Sequence, residues 1–223
     1  MVERKALRFV KIVETWGIYN LRIFPWRSTK NPYKILIAEI MLQRTRAEQV
    51  VPIYKRFIDK YPDPFSLSET TLIEIERDLF PLGLKKRGQN INKLAEQLTT
   101  IHNGKVPNNK EDLLKLCGVG NYIANAVLNN AFGLAVPTVD VNFARIVVRV
   151  FSLYSKYPFQ KNKEVWEFAE YLISIAGNSG RIINLAILDI GSSICTAKKP
   201  LCKKCPLCQI CDYSKENRLR HLP

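Results

Sequence analysis

Long apolar runs are missing from this chain. The nearest approach, Ile35 to Leu42, is short and interrupted by Glu39, whereas a membrane span needs roughly 18 apolar residues in a row. The opening MVERKALRFVKIVETWGIYN has no unbroken apolar core of the kind a secretion signal carries. Alternation with period two is scarce, which leaves strands little support. Repeats at solenoid periods and low-complexity linkers are also absent. Cysteine is nearly missing before position 195: Cys117 stands alone, and the other five crowd between Cys195 and Cys211. A secreted disulfide framework would be spread through a much smaller chain. These absences predict an intracellular, cytoplasmic protein with no membrane partner.

Acidic residues are also in short supply. Lys and Arg total 34 against 20 Asp and Glu, a net charge of +14 with a pI near 9.6. Such a surplus points to an acidic partner, and nucleic acid leads because its phosphates form a dense line of negative charge. A soluble protein that happens to be basic is the plain alternative. Apolar residues at 47% and charged residues at 24% over 223 residues fit one or two globular domains with a sizeable core.

What the chain does have is helical period. Phe9, Ile12, Val13 and Trp16 line one face of a first stretch, and Tyr33 to Val50 carries a second. Leu72, Ile75 and Leu79 mark a helix ending near Pro81-Leu82-Gly83; Ile91, Leu94 and Leu98 mark another that stops before Asn103-Gly104. Leu113 to Leu116, Tyr122 to Phe132, Asn142 to Phe151, Val165 to Ile175 and Arg181 to Ile190 complete an all-α pattern.

Three constellations carry chemistry. Cys195, Cys202, Cys205 and Cys211 stand as C-x6-C-x2-C-x5-C, close enough to converge on one centre without long loops to close. Four thiolates also suit tetrahedral zinc, although the usual ribbon has two C-x2-C knuckles around a longer insert. Cys208 permits a second register, C-x2-C-x2-C-x2-C from Cys202 to Cys211, in which it replaces Cys195. The second constellation is Leu116-Cys117-Gly118-Val119-Gly120-Asn121-Tyr122, between two predicted helices. Paired glycines allow positive φ and close backbone approach, and the helix that follows offers free N–H groups to a phosphate; an ordinary interhelical turn reads the same way. The third is Asp140, in Val139-Asp140-Val141-Asn142-Phe143-Ala144-Arg145, just ahead of a helix. An N-cap is its plain role. A carboxylate held by helix N–H groups also stays ionised and can stabilise an oxocarbenium-like sugar.

Taken in order with Phe24-Pro25-Trp26-Arg27, Asn31-Pro32-Tyr33 and Glu39-Ile40-Met41-Leu42-Gln43-Arg44-Thr45, these motifs resemble the helix-hairpin-helix DNA glycosylases of the endonuclease III superfamily over nearly the whole chain. The departure is Cys117, where the usual L-P-G-V-G has proline. The resemblance implies an all-α fold: a six-helix barrel with the hairpin over 29–137, and a helical iron–sulfur domain built from both chain ends, 1–28 and 138–223. It implies a [4Fe–4S] cluster on Cys195, Cys202, Cys205 and Cys211, with Cys208 a spare thiol. It implies a monomer, associated with the nucleoid, that binds double-stranded DNA carrying a mismatched or damaged base. Catalysis falls to Asp140, Glu39 and Tyr122, and DNA contact to Gln43, Arg44, Gly118, Val119, Gly120 and Asn142. Gln43 would fill the gap left by the extruded base.

Tyr122 sets the subtype, because bifunctional members carry lysine there, whose amine attacks the sugar as a Schiff-base nucleophile. Tyrosine implies base hydrolysis with little or no lyase activity. Glu39 is similar to the mismatch-specific branches, which take thymine or uracil opposite guanine, or adenine opposite oxidised guanine. Met41-Leu42-Gln43 and Thr45-Arg46 lean toward the adenine enzymes. Phe24-Pro25-Trp26-Arg27, Val139 to Phe143 and Asn184-Leu185-Ala186-Ile187-Leu188-Asp189 lean toward the thymine enzymes. Only about a dozen residues follow Cys211, whereas adenine enzymes usually carry a further domain there, so the expectation is thymine or uracil removal. A damage-binding protein without catalysis is the reading from a different class, and its mark would be loss of Asp140 or the hairpin glycines.

Overall fold

The computed structural model describes residues 2–83, 85–153, 156 and 158–219, with the side chains of 85 and 217–219 left aside. Among the described residues the elements are helices and helical turns, with no strand. The chain divides into two compact units, a central one (23–133) and a terminal one (1–22 with 134–223).

The central unit is built around α2 (Pro32–Leu42), whose start is sharply defined. Asn31 accepts from the Lys34 N–H at 3.1 Å, and Pro32 pre-sets φ for the first turn. Tyr33 and every residue from Ile35 to Met41 are buried, as expected of a core helix apolar on nearly all sides. Against the expectation of one helix to Val50, α2 ends at Leu42. Arg44 adopts a left-handed φ of 55°, and α3 begins afresh over Ala47–Lys60. Period alone could not reveal this break, because apolar residues continue on both sides of it. A short α4 (Pro64–Ser68), invisible to period at five residues, and α5 (Leu72–Leu79) both open on capping boxes, Asp63 with Ser66 and Thr71 with Glu74. After a 3₁₀ turn at Phe80–Leu82, α6 (Lys85–Thr100) buries Arg87, Ile91, Leu94, Ala95 and Leu98. Then come α7 (Lys110–Lys115) and α8 (Asn121–Phe132). Helix α2 packs on α3 and α8, and α6 receives α4 and α5.

The terminal unit consists of α1 (Val2–Asn20), α9 (Val141–Phe151), α10 (Lys163–Ala176), α11 (Gly180–Ser193) and α12 (Asp212–Leu219). Ala6, Phe9, Val10, Val13 and Gly17 form the buried stripe of α1. The crossing of α1 on α11 is close, since a Cβ on Gly17 would lie 2.7 Å from Ile182 Cγ2. Lys163–Ser193 matches a membrane span by length and composition. It breaks, however, at Gly177 (φ 52°), and its two helices bury Val165, Ala169, Leu172, Ile173, Ile183, Ala186, Ile187 and Ile190 in the unit's core.

Candidate active site and cysteine centre

Asp140 is the N-cap of α9. Its Oδ1 accepts from the backbone N–H groups of Asn142 (2.8 Å) and Phe143 (2.7 Å), and its Oδ2 from the Asn142 side-chain amide (2.7 Å). Arg145 in turn donates to Asn142 Oδ1 at 2.7 Å. The amide of Asn142 is thus oriented by a guanidinium on one side and a carboxylate on the other. The sequence placed Asn142 on DNA; here both ends of its side chain are engaged inside the protein. Burial raises the Asp140 pKa above the ordinary 3.8, and the Phe143 and Asn142 hydrogen bonds and the Arg145 charge oppose that rise without cancelling it. The donors that were expected to keep the group ionised therefore work against a larger desolvation.

The segment that delivers Asp140 is fixed from α11. Asn184, 1% exposed, accepts from the Thr138 N–H at 3.0 Å and donates to Val136 O at 2.9 Å. Gly191 comes so close that a Cβ there would lie 2.5 Å from Asn142 Cβ, and its carbonyl accepts from Arg145 at 2.7 Å. The buried acid of this unit's α11, Asp189, is matched by Arg22 through its backbone N–H (3.0 Å) and Nε (2.8 Å), which gives it a structural task. Sequence reasoning missed the positioning by Asn184, Arg145 and Gly191. Their partners lie some 40 to 50 positions away in the chain, beyond any local pattern.

Helix α9 also leads to the cysteines. Arg145 Nε donates to Cys195 O at 2.8 Å, and Arg149 donates to Cys195 Sγ (3.3 Å), Thr196 O (2.8 Å) and Ala197 O (2.8 Å). Cys195, Cys202, Cys205, Cys208 and Cys211 line one small cavity with Arg149 and Tyr213. Cys208 Sγ lies 3.5 Å from Ser214 Oγ. Burial first, then repulsion from neighbouring cysteines, raises the thiols of Cys202 and Cys211 and pushes Cys205 up to about 12. Among the described residues no group of three or more His, Cys, Asp or Glu is arranged to hold a metal ion.

In the central unit, Glu39 is 7% exposed and its Oε2 is shut off from solvent. Glu39 therefore does not lie on a solvated polar face of α2. Tyr122 is half-buried in the first turn of α8. The hairpin links α7 to α8 through a turn closed by Val119 N–H to Leu116 O at 3.1 Å. Only Gly118 uses positive φ (81°), with its Cβ position 3.0 Å from Asn90 Nδ2. Gly120 is extended (φ −106°, ψ −179°), is exposed, and has open space where a Cβ would sit. Its smallness therefore serves nothing inside the described protein, and as N-cap of α8 it supplies no side-chain cap. Cys117, in place of the usual proline, donates its N–H to Gln97 Oε1 at 2.7 Å, a bond proline could not make. Gln43 Nε2 donates to Gly118 O at 3.0 Å, while Arg44 is exposed.

A family model described as "HhH-GPD superfamily base excision DNA repair protein" matches residues 37–173. The thymine/uracil-DNA glycosylase of Methanothermobacter thermautotrophicus is 37% identical over 94% of this chain and 95% of that protein. An adenine DNA glycosylase of Buchnera aphidicola (subsp. Baizongia pistaciae) is 34% identical over 96% of this chain and 60% of that one. Among solved structures, a thermostable thymine-DNA glycosylase superposes with a TM-score of 0.89 at 35% identity, covering 96% of this chain and 99% of that chain.

Proposed function

Because the chain belongs to the HhH-GPD superfamily of base excision DNA repair proteins, we propose that it is a monofunctional DNA glycosylase that flips out thymine or uracil paired with guanine and hydrolyses its glycosidic bond. The observation that carries this reading is Asp140: a half-buried carboxylate that caps a helix N-terminus, whose three donors and neighbouring Arg145 hold it in one orientation. Such a fixed negative charge stabilises the positive sugar that develops as the base departs. Glu39 and Tyr122 serve base recognition and protonation of the leaving group. Tyr122 has no amine, so no Schiff base forms there. Gln43 fills the gap left by the base, Arg44 meets phosphate, and the backbone of Gly118, Val119 and Gly120 offers N–H groups to a second phosphate. The thymine/uracil preference is supported by the 37% identity to a thymine/uracil enzyme over nearly its full length and by the 0.89 superposition on a thymine enzyme.

Cys195, Cys202, Cys205 and Cys211 would hold a [4Fe–4S] cluster, whose bonds to them cross-link the loop after α11 to α12. The donor set fits. All four line one small cavity, and four closely spaced thiolates are the ligand set such a cluster takes.

Incubation with labelled duplexes carrying G·T, G·U and oxidised-G·A pairs tests the reading. Strands from the first two should break only after alkali, and Asp140→Asn should lower the rate by at least about 10²–10³-fold while mismatch binding persists. Excision confined to adenine would move the protein to the adenine branch. Wild-type rates in Asp140→Asn would remove the catalytic assignment, and efficient borohydride trapping of wild type would end the monofunctional one.

A further inference from the structure

Arg87 is the largest fully buried side chain among the described residues, at 2% exposure. A guanidinium is rarely placed there without compensation, and burial lowers its pKa. Its donors go to two different loops. Nη2 donates to Gln43 O at 2.6 Å and to Thr45 Oγ1 at 2.9 Å; Nη1 donates to Leu82 O at 3.1 Å and to Gly83 O at 3.4 Å. The first loop is the break between α2 and α3, where Arg44 takes its left-handed φ. The second is the turn between α5 and α6. Gly88, one residue on, lets α6 approach α5, since its Cβ position lies 2.7 Å from Glu76 Cγ. A third loop is tied to the first, because Gln43 donates its side-chain amide to Gly118 O of the hairpin.

We propose that Arg87 is a positioning residue for base extrusion: its buried guanidinium sets the α2–α3 loop against the α5–α6 turn, and through Gln43 against the hairpin, so that the gap-filling glutamine is held ready relative to the phosphate anchor. This rests on the glycosylase reading of Gln43 and the hairpin. The geometry explains why the cation is worth burying. A planar fork with five N–H donors reaches two backbone segments at once, which a single lysine ammonium does in poorer geometry. It also explains the helix break. The carbonyl of Gln43 is turned out of the α2 ladder to receive Arg87, and a continuous helix to Val50 would forfeit that bond.

The test compares Arg87→Met, Arg87→Lys, Gln43→Ala and the Arg87→Met/Gln43→Ala double variant with wild type. Single-turnover uracil release is measured at saturating protein from two duplexes, one with uracil opposite guanine and one with uracil opposite a tetrahydrofuran abasic analogue. The second needs no pair to be broken, so it reports chemistry without the cost of extrusion. Arg87→Met should slow the G·U duplex by at least about tenfold and the unpaired one by less than about threefold, since misplacing a positioning group penalises the step it prepares. Adding Gln43→Ala to Arg87→Met should slow G·U little further, because the two act as one unit. Arg87→Lys should show the same split with a smaller loss, and it replaces Arg87→Met if the latter melts below assay temperature. Equal slowing on both duplexes, wild-type rates, or additive effects with Gln43→Ala would overturn the proposal. Amide hydrogen exchange on the free protein gives an arm that does not depend on activity. Arg87→Met should speed exchange at residues 42–46 and 80–83 while leaving α8 unchanged, and unchanged exchange in both loops overturns the tie. If wild type releases no uracil from either duplex yet exchange responds as expected, the glycosylase reading fails and the Arg87 tie stands.

Discussion

Asp140 is held between opposed forces whose balance is visible in its pKa. Desolvation by burial disfavours the charge; two backbone donors, the Asn142 amide and the Arg145 guanidinium favour it; desolvation prevails and the pKa is raised. The sign matters twice. For stability, a raised carboxylate pKa means the folded form binds its proton more tightly than the unfolded chain. Its contribution is therefore fully present below pH 3.8 and is lost as the pH rises through the folded value. In the proposed catalytic role the ionised form is the useful one, so excision should fade as the pH falls through a value above that of an ordinary aspartate. Asn142→Ala tests this balance. It removes the 2.7 Å donor to Oδ2 but leaves both backbone donors in place. The acid limb of the single-turnover pH–rate profile should move to higher pH, with a lower plateau. An acid limb that stays put would mean that Asn142 does not tune Asp140. Residues of this kind were only half legible in the sequence. Asp140 and Asn142 stood out because cap, hairpin and spacing are local. Arg145 and Arg87 carried no local signal of their tasks, because burial is set by elements far away in the chain.

The elements tell the same story at longer range. Helices with one apolar face, such as α1, α8 and α9, were readable from period, and α8 and α9 lie within a residue of their expected bounds. The break at Gln43–Arg46 was not, since apolar residues continue on both sides and the Arg87 contact to this loop comes from α6. Close crossings leave only glycines as a trace. A Cβ on Gly191 would meet Asn142 Cβ at 2.5 Å and its Cα at 3.3 Å, whereas a Cβ on Gly17 would meet Ile182 Cγ2 at 2.7 Å on the α1–α11 crossing. Both substitutions to alanine should destabilise by about 1–3 kcal/mol through overpacking, measured by urea melts. Only Gly191→Ala should also depress excision, because the atoms it displaces orient Asp140. Equal activity in the two variants at a temperature where both are folded would sever α11 from catalysis. The cysteine loop yields to a similar pairwise comparison. Cys195 receives Arg149 at its sulfur and Arg145 at its carbonyl, whereas Cys208 lies beside Ser214. Protein purified under reducing conditions should be brown, and Cys208→Ser should keep the colour and iron content that Cys195→Ser loses. The reverse result would favour the ferredoxin-like register, and a colourless protein with stoichiometric zinc would refute the cluster.

At the scale of the whole molecule the governing quantity is charge. A net +14 spread over 223 residues creates a field that draws polyanions irrespective of sequence. Each phosphate neutralised on binding releases condensed counterions, so the logarithm of the affinity falls linearly with the logarithm of salt. Phosphate contacts fix register and orientation but carry no information about the mismatch. Affinity and selectivity should therefore separate under salt. Dissociation constants for a G·T duplex and for a fully paired duplex of the same length, measured on Asp140→Asn to prevent turnover, should weaken together. With about 6–10 phosphate contacts, the fall between 50 and 200 mM salt is roughly 10³–10⁵-fold. The ratio of the two constants should stay nearly constant, because the weakened pair and the extruded base supply it. Wild-type excision under saturating single-turnover conditions should likewise be nearly salt-independent, since the step then measured lies after the phosphates are engaged. Two results would count against this division. A shallow salt dependence would mean that the basic surface is not spent on phosphate. A mismatch preference that collapses with salt would place recognition of the mismatch in the same long-range charges, and not in the buried groups around Gln43, Glu39 and Tyr122.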